Sequence, residues 1–158
     1  DIFVSLYLEP DLVHALLDKI LSFLILFYEK WLQEMPPLDS YHAYFGRLHR
    51  GLITIRDDSA TNLSPALCRD FIHPYDACLL DHFGGGAIHF CGRGDHFLPD
   101  MVRSKGLFAI DLSQPHLNDL TLAIAETIDR GIHLLTVADK NLDTLDCSHH
   151  ACHRLSLQ

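Results

Sequence analysis

Two residues one position apart, His89 and Cys91, end a short apolar run, Ala87-Ile88-His89-Phe90-Cys91-Gly92, which the glycine triplet Gly84-Gly85-Gly86 introduces. In a strand, side chains two apart leave the same face. An imidazole and a thiol would then project together where strand turns to loop, a place where α/β enzymes put chemistry. They are two of the donors a metal ion takes, too few for a closed site. They also fit a packed cysteine beside a hydrogen-bonded histidine.

The other residues with chemical capacity stand at comparable positions. Arg56, Asp57, Asp58 and Ser59 follow the β-branched run Gly51-Leu52-Ile53-Thr54-Ile55, which reads as a strand. The aspartates suit general acid–base work, and equally a turn, where Asp satisfies backbone donors. Arg56 and Arg93 could grip a polycarboxylate through bidentate hydrogen bonds, or pair with Asp57, Asp58 or Asp95. Functional groups gather beyond the carboxyl ends of parallel strands, which collects Arg56, Asp57, Asp58, Ser59, His89, Cys91, Arg93, Asp111 and Gln114.

The elements that must position these groups follow from pattern. Glu9-Pro10-Asp11 opens a helix with proline and an acid in its first turn. Its apolar positions Leu12, Val13, Leu16, Leu17, Ile20 and Leu24 recur at helical spacing until Pro36-Pro37 ends it. Its uncharged stretch, Ile20 to Tyr28, is far shorter than the roughly 20 residues of a membrane span, so a buried helix is expected. A loop rich in Tyr, His and Arg follows. Ser64-Pro65 caps a helix running toward His82, which Pro74 should bend or interrupt.

Beyond the His89 strand come a short helix closed by Gly106 and a strand at Leu107 to Asp111. Asp119 caps a helix from Leu120 to Arg130, Gly131 ends it, and Ile132 to Val137 forms a fourth strand. Strands separated by helices of this length indicate a parallel sheet with right-handed crossovers. The glycine triplet precedes its strand, so it reads as a helix stop rather than a phosphate cradle.

Composition bounds the function. The 158 residues are 48% hydrophobic, enough for one domain to bury a core. A formal charge of −9 without Lys/Arg clusters argues against a nucleic-acid surface. The five cysteines, 68, 78, 91, 147 and 152, are odd in number and lack regular spacing. Reduced thiols and a cytoplasmic setting are expected. No signal-peptide pattern is seen, and a first residue Asp1 rather than Met suggests further sequence upstream. The tail Cys147-Ser148-His149-His150-Ala151-Cys152-His153 has a metal-binding composition without zinc-finger spacing. Residues 139–158 read as a poorly ordered tail following a domain at 1–138.

These residues carry a resemblance. Asp58-Ser59, then Leu63-Ser64-Pro65, then Phe71-Ile72-His73-Pro74-Tyr75 is similar to a segment of the uroporphyrinogen decarboxylase superfamily. Ile88-His89-Phe90-Cys91-Gly92 resembles the H-x-C-G strand of its cobalamin-dependent methyltransferase branch, and the helix with Pro10, Val13, His14 and Leu17 is similar to a helix before it. The resemblance, from about Leu8 to about Val137, implies a partial (β/α)8 TIM barrel with about four C-terminal βα units, since a whole barrel takes about 250 residues.

What it implies about activity divides by branch, the decarboxylase type coming first because the segment from Asp58-Ser59 to Leu63-Ser64-Pro65 is the longer match. The decarboxylase type removes carboxyl groups from a tetrapyrrole without a cofactor. Asp57, Asp58 and Ser59 would then be catalytic, with Arg56, Ser59 and Arg93 binding a small-molecule substrate. The methyltransferase branch moves a methyl group from a corrinoid to a thiol, and His89 and Cys91 would bind zinc with a later cysteine. Cys147 or Cys152 could supply that ligand only by folding back over the strand ends. A half barrel leaves strand edges and an apolar face open, so a third expectation is a non-catalytic half that works as a homo-oligomer or with a complementary half barrel.

Overall fold

The computed structural model describes residues 1–37 and 39–135. The end of the fourth strand at Val137, the tail and its cysteines lie outside the described residues.

Two helices lead. α1 (Ile2–Leu8) is capped by the Asp1 carboxylate, which accepts from the Phe3 N–H at 3.1 Å. α2 (Pro10–Glu34) has its proline in the first turn, where the missing N–H costs nothing. Leu21, Leu24, Ile25, Tyr28 and Leu32 pack toward Ile53, Leu79 and Phe83. The expectation of a buried helix is corrected on the other side: Phe23 is 64% exposed, Leu26 67% and Trp31 50%. Apolar residues encircle much of this helix, but its neighbours cover only one flank. Among the described residues no helix is long and apolar enough to cross a membrane.

The segment read as a loop between Pro37 and Gly51 is a hairpin of β1 (Tyr41–Tyr44) and β2 (Arg47–Arg50), antiparallel with Tyr44 opposite Arg47. Its two-residue turn, Phe45-Gly46, has φ of 46° and 77°. Positive φ at both turn residues matches the right-handed twist of the flanking strands. The sequence reading missed it because the first turn residue is Phe rather than Asn, Asp or Gly.

The sheet proper is β3 (Ile53–Arg56), β4 (Gly86–Phe90), β5 (Leu107–Leu112) and β6 (His133–Leu134), parallel and in that spatial order. The crossovers are helical. The helix expected from Ser64 to His82 is two, α3 (Pro65–Phe71) and α4 (His73–His82), and Pro74 stands in the first turn of the second. The Ser64 hydroxyl accepts from the Leu67 N–H, as a capping residue should. α5 (Leu98–Met101) and α6 (Leu120–Ile128) follow, α6 capped by Asp119.

Alternation sorts the strand side chains. Ile88, Phe90, Ile110, Leu112 and Leu134 enter the main core with Cys68, Phe71, Leu80, Leu98, Met101 and Ala123 from the helices. Each of the buried Leu, Ile, Phe and Met side chains stabilises by roughly 1.5–3 kcal/mol relative to exposure. Thr54, Arg56, Ala87, His89, Ala109 and Asp111 leave the opposite face. The hairpin lies over that face: buried His49 takes a hydrogen bond from the Thr54 hydroxyl at 2.8 Å, and Arg50 sits 4.3 Å over the Phe108 ring. The chain is thus an α/β structure in which a four-stranded parallel sheet has helices on one face and a hairpin on the other.

Close approach explains one glycine. A Cβ on Gly86 would collide with the Ile53 carbonyl oxygen, so β3 and β4 pair closely only because that position has no side chain.

Candidate metal centre at the strand ends

Strand register places the functional groups. Arg56, His89 and Asp111 are register partners across β3, β4 and β5, so their side chains stand in one row on the hairpin-covered face. His89 Nδ1 donates to Asp111 Oδ2 at 2.8 Å, with both side chains nearly inaccessible. A carboxylate only accepts, so the proton sits on Nδ1 and Nε2 is left facing outward along the row.

Nε2 looks at two further groups. Cys91 Sγ, one residue past the end of β4, is 3.5 Å away, and Asp58 Oδ1 is 3.6 Å away. The Cys91 N–H donates to Asp58 Oδ1 at 2.8 Å and Ser113 Oγ lies 3.2 Å from the Cys91 sulfur. Asp58, His89 and Cys91 therefore offer one oxygen, one nitrogen and one sulfur, all within 4.8 Å of one another. Burial pushes the Asp58 carboxyl up, but the hydrogen bonds from the Cys91 N–H and thiol, with His89 and Arg56 nearby, outweigh it and hold the group below its ordinary pKa.

Local structure explains why these groups meet. The Asp57 N–H donates to the His89 carbonyl, extending the β3–β4 pairing one residue. The chain then turns into a short 3-10 helix over Asp58–Asn62, whose Thr61 hydroxyl bonds the Asp58 carbonyl at 2.8 Å. Beyond Cys91, Gly92 has φ of 106°, and Asn118 pins the loop by accepting from the Gly94 N–H and donating to the Gly92 and Gln114 carbonyls.

The aromatic turn of the hairpin roofs the cluster. The Tyr44 ring stands edge-on to His89 with centroids 5.6 Å apart, and Phe45 is 6.5 Å from the same ring. The Tyr44 hydroxyl and Asp111 Oδ1 are buried without a hydrogen-bond partner among the described residues.

The remaining residues singled out in the sequence go elsewhere. Asp57 is buried and faces Asp76 of α4 instead of the cluster. Burial raises the pKa of both, and that of Asp76 rises well above its usual range. Asp57 Oδ2 and Asp76 Oδ2 have no hydrogen-bond partner among the described residues, and one proton shared between the two carboxyls would serve both. Ser59 is exposed. Arg56 Nη2 donates to Asp58 Oδ2 at 3.0 Å, and Arg93 pairs with Asp95 at 2.9 Å away from the cluster. Cys147 and Cys152 fall outside the described residues. Of the residues that matter here, Tyr44 and Ser113 had no sequence signal, whereas Asp111 stood among the strand-end groups without a role.

Chemically, the arrangement supports two uses. Three mixed donors with a carboxylate behind the histidine form the usual surroundings of a zinc-ligating imidazole. Thiol, imidazole and carboxylate in line are also the order in which a nucleophilic cysteine, its base and the orienting acid stand. No family model matches the chain, and neither a curated protein nor a solved structure matches it.

Proposed function

We propose that the strand-end cluster is a zinc centre that activates a thiol for alkyl transfer, with Asp58, His89 and Cys91 as ligands and Asp111 fixing the histidine. The spacing of the donors carries this reading. A tetrahedral ion with Zn–N of about 2.0 Å and Zn–S of about 2.3 Å sets its nitrogen and sulfur ligands about 3.5 Å apart. Nε2 and Sγ are 3.5 Å apart, and Nε2 and Asp58 Oδ1 are 3.6 Å apart. Zinc in such a site holds a thiol as its thiolate at neutral pH. Three protein ligands leave a fourth position for a substrate.

The chain's own part is orientation and shielding. Asp111 keeps Nε2 turned to the centre, Arg56 steadies Asp58 through its second oxygen, and the hairpin covers His89 from above. This fits the reaction implied by the methyltransferase resemblance, transfer of a methyl group from a corrinoid to a thiol. Asp58 then takes the place of the later cysteine.

The decarboxylase reading ranks second. It draws support from Asp58 and Arg56 at the end of β3, yet Asp57, Ser59 and Arg93 do not converge with them.

Zinc content after dialysis against a weak chelator tests the proposal. About one zinc per chain, lost in Cys91→Ala and His89→Ala, is expected. A metal-free wild type whose Cys91 alkylates rapidly, and slowly in His89→Ala, would replace the zinc centre with a thiol nucleophile.

A further inference from the structure

The Tyr44 hydroxyl is the polar group of this face whose position the zinc centre leaves unexplained. Its oxygen is fully buried and bonded to nothing among the described residues. Its ring touches His89 edge-on. Burial raises the phenol's pKa, Arg56 partly offsets this, and Asp111, Asp58 and Cys91 add to it, so the hydroxyl sits within the field of the whole cluster. A buried donor without an acceptor is destabilising, and here the neighbouring carboxylate oxygens other than Asp111 Oδ1 are engaged. Asp58 Oδ1 takes the Cys91 N–H, Asp58 Oδ2 takes Arg56, and Asp111 Oδ2 takes His89.

The hairpin has no freedom to turn this ring away. Tyr44 immediately precedes the Phe45-Gly46 turn, and alternation along β1 puts His42 and Tyr44 toward the sheet and Tyr41 and Ala43 toward solvent. His49 anchors the other strand through Thr54 and the Arg50 carbonyl. The ring is therefore held against His89, at the hairpin side of the cluster.

Resting on the zinc-centre reading, we infer that Tyr44 recognises the ligand at the open position, its hydroxyl donating a hydrogen bond to the sulfur of a small thiol. The bond would hold the thiolate beside the metal and favour thiols over water, which the roof of Tyr44 and Phe45 helps to exclude. It would also satisfy a buried donor that has no partner among the described residues.

The test loads the full chain and its Tyr44→Phe variant with Co2+ and titrates β-mercaptoethanol, following the visible absorption bands of the ion. Wild type should hold one Co2+ per chain and bind the thiol saturably. Tyr44→Phe should keep the same Co2+ stoichiometry, bind the thiol about tenfold more weakly, and melt at the same or a higher temperature when metal-free, because an unpaired buried donor has gone. Equal thiol affinity in the two proteins would overturn the inference and leave the metal centre standing. A lower melting temperature for metal-free Tyr44→Phe would also overturn it, by showing that the hydroxyl makes a structural bond, for which Asp111 Oδ1 has no other partner among the described residues. Failure of wild type to hold Co2+ would remove the centre and the inference together.

Discussion

At the residue scale, the behaviour of the cluster depends on Asp111. It is not among the proposed ligands, yet it decides which histidine nitrogen is available. Replacing the partner behind a ligating histidine typically weakens metal binding 10–100-fold. Asp111→Asn should therefore lower zinc affinity by about that factor while leaving the stoichiometry at saturation unchanged, measured by competition with a chromophoric chelator. The Asp57–Asp76 pair makes a second prediction. Both folded pKa values are raised, chiefly by burial, so the pair's stabilising contribution is complete below the ordinary aspartate range and is lost as pH rises through the folded values. Asp76→Asn keeps a hydrogen-bonding amide and removes the ionisable group. It should raise the midpoint of urea unfolding at pH 8 more than at pH 5; an equal effect at both would mean that the pair does not share a proton.

At the element scale, the hairpin and the β3–β4 pairing are the parts on which the site rests. The hairpin is small, and buried His49 docks it by accepting the Thr54 hydroxyl proton at one nitrogen and donating to the Arg50 carbonyl at the other. That pattern needs the neutral ring. His49 and His42, whose rings are 5.4 Å apart, both have pKa values lowered by burial; His42 further lowers that of His49, while the Arg50 carbonyl and Asp111 oppose the shift. A lowered histidine pKa gives stability that is present above about pH 6.5 and lost as pH falls toward the folded value. Amide exchange in β1 and β2 should accelerate between pH 7 and pH 5.5, after correction for intrinsic rates, while β4 and β5 stay protected. Gly86→Ala should be severe, because its Cβ would meet the Ile53 carbonyl and the two strands carrying Asp58 and Cys91 would part. Loss of several kcal/mol, in the range of the larger single-site effects, is expected in chemical unfolding.

At the scale of the whole molecule, the apolar flank of α1 and α2 dominates. Ile2, Phe3, Val4, Tyr7, Leu8, Leu12, Leu16, Ile20, Phe23, Leu26, Phe27 and Trp31 are all substantially exposed, and Phe23, Phe27 and Trp31 stack along one side. Contiguous apolar surface of this extent marks an association face. The purified chain should self-associate, with a sedimentation coefficient that rises with concentration, and Phe23→Glu with Trp31→Glu should return it to monomer without loss of the core, which these side chains do not enter.

Much of the framework was legible along the chain, and for local reasons. Pro10, Ser64-Pro65, Pro74 and Asp119 mark helix starts through geometry that a few neighbouring residues enforce, and the β-branched or apolar runs between them mark β3, β4 and β5. The His-x-Cys pair was legible too, because a period of two puts both on one face whatever the partner strands do. The rest required the chain to fold. Asp58 joins the pair, and Asp57 does not, because a 3-10 turn after β3 sends adjacent residues to opposite sides. Asp111 stands behind His89 because of strand register, a relation between residues 22 apart that no local pattern encodes. Tyr44 reaches the site only through a hairpin whose Phe-Gly turn carries a weak signal, and the long helix leaves its apolar flank uncovered because burial is settled by which neighbours arrive. Sequence by itself determined the elements and the donors they carry; tertiary structure alone decided which donors meet, because contacts between strands and across layers depend on register and packing rather than on local preference.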